Sequence, residues 1–255
     1  MPLEMRVIPC LRDNYAYLLR DPETGRVAVV DVPDTAPIFT ALEDAGWTLT
    51  DILITHHHDD HIGGVADLRA ATGAQVWGAA ADAHRLPPLD HALHPGDRVT
   101  LGAESGAVID VPGHTVGHIA FHFPDSQLAF TADSLMALGC GRLFEGSADQ
   151  MWHSLQALMA LPDETRICSG HDYSQSNGAF AKSVDPGNAD LQARLSQMAQ
   201  DRAAGRPMAV ATLALEKATN PFLRASQHYL KQAHGMSGVS DTAMFAHLRG
   251  LKDTF

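Results

Sequence analysis

The sequence predicts an α/β body followed by a smaller helical domain, with the division near residue 172. Three observations carry this reading. Up to about residue 170, short β-rich runs alternate with helical spacing. From about residue 188 onward the β pattern largely disappears and helical segments follow one another. In between, several short apolar runs end on a His or an Asp, where loops gather at one edge of an α/β sheet.

Taken in order, residues 5–9, 15–20 and 27–32 read as strands, separated by Asp13-Asn14 and by Asp21-Pro22-Glu23-Thr24-Gly25, both turn chemistry. Residues 35–45 have helical spacing and stop at Gly46. Residues 51–55 form a short apolar run of the buried-strand kind, and Gly63-Gly64 then opens a helix to about residue 71. Strands are expected near 75–77, 107–111, 119–123, 128–131 and 166–168, and a helix over 148–160. Residues 190–204 and 241–248 read as helices, separated by Pro207, Asn220-Pro221 and Gly235.

Composition excludes several classes. At 45% apolar and 19% charged residues the 255-residue chain is an ordinary globular protein. It has no apolar run of about 18 residues to span a bilayer, and Met1-Pro2-Leu3-Glu4 is not the start of a signal peptide. Three widely spaced cysteines (Cys10, Cys140, Cys168) argue against a disulfide framework and for a reducing cytoplasm. A formal charge of -12 disfavours nucleic acid as a partner. The charge is uneven: residues 201–255 carry 7 Lys and Arg against 4 Asp and Glu. A basic tail on an acidic body suits a pocket for a small anion, or is merely a charged surface.

Fifteen histidines are unusual, and they cluster. The segment Thr55-His56-His57-His58-Asp59-Asp60-His61 begins where an apolar run ends. A His pair at i, i+2 in an extended loop can aim both imidazoles at one point, while Asp60 and His61 turn toward a second. Imidazole and carboxylate suit zinc, iron or manganese. His114 (in Pro112-Gly113-His114-Thr115), Asp133 and His171 each follow a further apolar run.

This pattern of THxHxDH, GHT, Asp and GH resembles the metallo-β-lactamase superfamily, and more specifically the hydroxyacylglutathione hydrolases, the glyoxalase II family. The resemblance spans essentially the whole chain. It includes Leu11-Arg12-Asp13-Asn14-Tyr15-Ala16-Tyr17-Leu18, Gly139-Cys140-Gly141-Arg142-Leu143-Phe144-Glu145-Gly146, Gly170-His171-Asp172-Tyr173, Asn220-Pro221-Phe222-Leu223-Arg224 and the tail from Leu248 to Phe255. It implies a four-layered αβ/βα sandwich over residues 1–172 as the catalytic domain and an α-helical, glutathione-binding domain over 173–255.

The resemblance also implies the roles. His56, His58 and His114 would hold one metal ion, Asp60, His61 and His171 a second, and Asp133 both. Zinc is foremost, with iron or manganese also compatible. A hydroxide shared by the two ions, held by Asp133 and Asp60, would attack the thioester of S-D-lactoylglutathione and release D-lactate and glutathione, the second step of methylglyoxal detoxification. Arg142, Tyr173, Arg249 and Lys252 would bind glutathione, with Arg249 and Lys252 on one helical face at i, i+3. The family often has Lys at Arg142 and Tyr at Phe144; Phe lacks the hydroxyl. Asp31 and His118 are expected to support ligating imidazoles or the fold, and His57 and Asp59 to turn away from the metals. The expected partner is a small glutathione thioester, with no nucleic acid, no membrane and a monomeric chain. Rival readings on the same scaffold are a persulfide dioxygenase, a lactonase or a β-lactamase. A metal-dependent binding module is the rival from another class.

Overall fold

The computed structural model describes residues 1–255. The chain divides into two compact units that do not follow chain order: residues 1–110 with 117–132, and residues 111–116 with 133–255.

The first unit starts with a mixed sheet, β1 (Glu4–Cys10), β2 (Asn14–Arg20), β3 (Val27–Val30), β4 (Asp51–Leu53), β5 (Gln75–Ala79) and β6 (His91–Leu93), in that spatial order. β1 to β3 pair antiparallel and β3 to β6 parallel, with Ile52 placed between Val29 and Val76. β3 and β4 are buried along their whole length, as parallel strands covered on both faces must be. Helix α1 (Thr35–Ala45) is capped by Asp34, which accepts from Ala36 N at 3.2 Å, and ends at Gly46 with φ +65°. It is joined by the single turn α2 (Asp59–Ile62) and by α3 (Val65–Thr72). Ile38, Leu42, Val65 and Leu68 from α1 and α3 bury against Ile8, Leu18, Val29, Ile52 and Val76 of the sheet.

A second run of strands, β7 (Arg98–Leu101), β8 (Glu104–Asp110), β9 (Ile119–Phe123) and β10 (Leu128–Ala132), is antiparallel throughout. Every residue of β9 and β10 is buried. Phe130 of β10 meets Tyr17 of β2 edge-on at 5.3 Å, so aromatic packing joins the two sheets within this unit.

In the second unit, β11 (Leu135–Met136) and β12 (Gly139–Cys140) form a two-stranded ribbon, and β13 (Arg166–Ser169) pairs antiparallel with β14 (Val210–Thr212). Six helices belong to this unit: α4 (Ala148–Met159), α5 (Ser174–Val184), α6 (Ala189–Ala203), α7 (Leu213–Thr219), α8 (His228–Ala233) and α9 (Asp241–Asp253). A capping box between Ser147 and Gln150 starts α4. Trp152, Phe245, Phe222 and Phe180 form a continuous aromatic chain, with centroids 6.0, 5.9 and 5.8 Å apart, beneath α9. No helix is long and apolar enough to cross a membrane.

The strands expected near 5–9, 15–20, 119–123 and 128–131 are present, as are the helices over 35–45 and 148–160. Missed were α5, α7, α8, the short strands β6, β7, β11 and β12, and β14, which lies in the region where the β pattern of the sequence largely disappears. Val210 and Ala211 are only half-buried and the strand has three residues, too few for alternation to register.

Candidate functional site

The predicted donors fall into two sets, one in each unit. In the first unit, β4 ends at Leu53 and the chain continues extended through Thr55 to His58, which caps α2 at φ −65°, ψ 142°. The single turn is anchored from outside: Val32 N donates to His61 O at 2.8 Å and Gly64 N to Val32 O at 2.9 Å. His56, Asp60 and His61 thus project from a loop whose backbone is held by strand and helix partners.

Asp31 explains much of the local order. It is buried, with φ +57°, a conformation that an Asp tolerates better than most side chains. Its carboxylate accepts from Thr55 N at 2.9 Å and Thr55 Oγ1 at 2.8 Å, and lies 2.8 Å from His61 Nδ1. A carboxylate there places the His61 proton on Nδ1 and leaves the Nε2 lone pair for a cation. The Thr55 hydroxyl spends its one hydrogen on Asp31, so it accepts from His56 Nδ1 at 3.0 Å. That fixes the second tautomer: His56 Nε2 carries a lone pair and lies 3.1 Å from His58 Nδ1. His118 is fully buried and stacks on His56 at 4.6 Å with 12° between the rings. Asn14 donates to the Asp60 carbonyl and carboxylate, both at 3.0 Å.

His57 does turn aside, but toward a partner: its Nδ1 lies 3.3 Å from Asp82, which is buried and also pairs with Arg85 at 2.6 Å. A methyl group on Gly117 would sit 2.2 Å from the Asp82 carboxyl carbon, so this pair needs a glycine at 117. Neither Asp82 nor the role of Asn14 was legible from spacing, because both act on the motif from far along the chain.

In the second unit, His114 and His171 each place Nε2 at 3.4 Å from the same oxygen of Asp133, and all three are buried. Nδ1 of His114 donates to the Arg142 carbonyl at 2.8 Å, which leaves its Nε2 as a lone pair facing the carboxylate. Two lone-pair atoms at 3.4 Å, beyond the usual reach of a hydrogen bond, are the arrangement that a shared cation reconciles. The donor chemistry therefore fits a metal. His171 is covered by Tyr173, stacked at 4.7 Å with 6° between the rings. Phe144 is exposed, its ring 5.2 Å from that of His114.

The four predicted glutathione contacts all belong to this unit. Arg142 is exposed and Tyr173 partly so. Lys252 donates to Ser176 O at 3.3 Å and lies over Phe180 and Phe255. Arg249, only 5% exposed, donates to Cys140 O at 2.9 Å, pairs with Asp253 at 3.0 Å and lies over Phe222. Burial lowers the Lys252 pKa, and the charges of Arg249 and Arg142 lower it further. The three cations are thus near enough for Lys252 to feel the other two, with Asp253 opposing them. The three thiols are buried and unbridged, and burial pushes Cys10 and Cys140 up to about 11, so they are inert.

An expected outcome arises from Asp31. Asp31→Asn exchanges an obligate acceptor for a group that can also donate to His61 Nδ1. Metal affinity should fall about 10- to 100-fold in competition with a chelator. Unchanged retention would remove Asp31 from any part in orienting His61.

The clusters of His and Asp just described suit metal binding; Asp31, His56 and His61, for instance, offer ligand atoms all within 4.8 Å of one another. The model of the metallo-β-lactamase superfamily matches residues 11–171, so the fold and its donors define a metallohydrolase-type domain. A second family model, for the hydroxyacylglutathione hydrolase C-terminus, matches residues 172–255. The chain belongs to the hydroxyacylglutathione hydrolases, the glyoxalase II family. It is 60% identical to the hydroxyacylglutathione hydrolase of Fuscovulum blasticum over the full length of both chains, and 56% identical to that of Ruegeria pomeroyi, again over both full lengths. Among solved structures it is similar to ETHE1 from Myxococcus xanthus (TM-score 0.68, 26% identity, 98% of this chain and 90% of that one). It is also similar to TTHA1623 in a di-iron-bound form (TM-score 0.61, 28% identity, 86% of this chain and 100% of that one).

Proposed function

We propose that the chain hydrolyses S-D-lactoylglutathione, and related 2-hydroxyacylglutathiones, to the 2-hydroxy acid and glutathione. The observation that carries this reading is Asp133 Oδ2, 3.4 Å from two imidazole nitrogens, in the same unit as the cations Arg142, Arg249 and Lys252. His56, His58 and His114 are assigned to one divalent ion, Asp60, His61 and His171 to a second, and Asp133 to both. Zinc is the first choice; iron or manganese is compatible with the same nitrogen and oxygen donors. The di-iron form of TTHA1623 supports a count of two. Bound there, the ions supply Lewis acidity and lower the pKa of a water toward neutrality.

The chain's own residues do the rest. Asp31, through His61 and through Thr55 to His56, presets which nitrogens of these two residues carry lone pairs, so neither of them must change tautomer to bind. Asn14 holds the Asp60 carboxylate at 3.0 Å. Arg142 and Lys252 offer charge to the glutathione carboxylates, Tyr173 offers a hydroxyl, and Arg249 backs them from beneath. The departing thiol, with a pKa of about 8.5, leaves as thiolate without a dedicated general acid. A cytoplasmic, monomeric enzyme, divided near residue 172 into a catalytic and a glutathione-binding domain, fits the buried unbridged cysteines and the two family matches.

Purified protein assayed on S-D-lactoylglutathione should show thioester cleavage with about two metal ions per chain. One bound iron, with oxygen uptake on glutathione persulfide and no thioester cleavage, would replace this reading with the dioxygenase rival. Lys252→Gln should raise KM about tenfold and leave kcat nearly unchanged, since it removes binding to a non-reacting end. Because burial lowers the Lys252 pKa, its charge is lost at a lower pH than an ordinary lysine's. KM of the parent enzyme should therefore climb on the alkaline side, and that rise should be absent in Lys252→Gln. An unchanged KM would sink the tail assignment.

A further inference from the structure

The segment linking Asp133 to Arg142 gives up its backbone polar groups to side chains from elsewhere in the chain. Ala137 N donates to Ser169 Oγ at 3.0 Å, and Ala137 O accepts from Asn177 Nδ2 at 3.1 Å. Leu138 N donates to Glu216 Oε2 at 3.0 Å. Asn220 Nδ2 reaches Gly139 O at 3.0 Å, Met136 O at 3.3 Å and Glu216 Oε2 at 3.1 Å. Cys140 O accepts from Arg249 Nη1, and Arg142 O from His114 Nδ1.

Two features show that this segment is held against its own preference. Leu138 has φ +57°, which a residue with a Cβ adopts only when its surroundings impose it. At Gly141 a Cβ would sit 2.1 Å from Asp133 O, so the chain doubles back tightly on the residue that follows β10. The centre of the network is Asn220, fully buried at the C-cap of α7. Its Oδ1 accepts from Phe222 N at 3.1 Å, which fixes the amide orientation and turns the Nδ2 hydrogens toward the segment carbonyls and Glu216. Behind it, Glu216 is fully buried and paired with Arg194. Packing alone would be served by apolar groups; a satisfied polar network in this place specifies one loop geometry instead.

We propose that Asn220, backed by Glu216, is a positioning residue that sets the 136–140 backbone and thereby places Asp133 at one end and Arg142, with the carbonyl that orients His114, at the other. One loop then registers a metal-ligating carboxylate, the tautomer of a metal-ligating imidazole and a cation for the substrate. The inference rests on the roles proposed above for Asp133, His114 and Arg142.

The test is Asn220→Ala in the full chain, with three readouts: far-ultraviolet dichroism with a thermal scan, zinc retained per chain against a competing chelator without substrate, and KM with kcat on S-D-lactoylglutathione. The expected result is a folded protein whose zinc retention falls about tenfold and whose KM rises about tenfold. A lowered thermal midpoint with zinc retention and KM both unchanged at 25 °C would show a merely structural amide and overturn the proposal. Should Asn220→Ala fail to fold, Asn177→Ala, which releases only Ala137 O, carries the same test. Its zinc retention should drop several-fold, and unchanged retention with unchanged KM overturns the proposal equally. Zinc competition needs no substrate, so a parent enzyme that holds zinc but cleaves no glutathione thioester would refute the activity while leaving the positioning role decided.

Discussion

Asp133→Asn should lower kcat/KM for S-D-lactoylglutathione by about 10³-fold or more, the scale seen when one preorganised charge-stabilising group is removed from a reacting centre. The side chain keeps its shape but loses its charge, and the oxygen at Oδ2 sits 3.4 Å from both His114 Nε2 and His171 Nε2. Under the proposed assignment, a carboxylate there would offset the repulsion between two bound cations, which in a buried setting is large. The amide can coordinate on one side only and presents N–H on the other. Metal analysis should therefore show a loss of bound ion alongside the loss of rate. Chelation of the parent enzyme should have the same effect, reversed by added zinc. Near-parental turnover by Asp133→Asn with a full complement of metal would remove this residue from the centre of the reaction.

Glu216→Ala should destabilise the chain by about 3–5 kcal/mol, because it strands a buried guanidinium. Arg194 is about as buried as its partner: the side chains are 4% and 0% exposed. Arg194 also donates to Thr219 Oγ1 at 2.6 Å, but that neutral contact does not replace a carboxylate. The alanine also leaves Leu138 N without its acceptor and removes one of the three acceptors around Asn220 Nδ2. Replacing both members, as Arg194→Met with Glu216→Leu, should recover much of the loss, since apolar residues of similar size carry no desolvation cost. Denaturant unfolding of the single and double variants checks this. A Glu216→Ala midpoint within error of the parent would mean that Arg194 finds another partner or water. If the double variant recovers stability yet not zinc retention, the charge pair serves loop geometry rather than overall stability.

How much was legible beforehand follows from distance along the chain. His56, His58, Asp60 and His61 lie within six residues, and the run that precedes them is a strand, so their convergence is a local property. The helix over residues 35–45 announces itself by Asp34 and Gly46. Asn14 on Asp60 and Asp82 on His57 are contacts between residues 46 and 25 positions apart, which no spacing rule reaches. β14 was hidden because a half-buried strand of three residues has no alternation to read. Arg249 and Lys252 share a helical face, as the i, i+3 spacing requires, yet one is buried under Cys140 and Phe222 while the other reaches Ser176. Spacing sets direction; depth is set by what packs on top.

By itself, then, the sequence determined which residues carry donors suited to a metal, the order of an α/β body and a helical region, and the family to which the chain belongs. These are encoded in residue identity and short-range periodicity. Only the tertiary structure decided which nitrogen of His56, His61 and His114 carries the lone pair, because that depends on Thr55, Asp31 and the Arg142 carbonyl, each fixed by contacts outside its own element. It also decided that residues 111–116, flanked in the chain by β8 and β9, pack with the second unit. A proton's place and a loop's allegiance are set by three-dimensional neighbours, and linear order does not specify them.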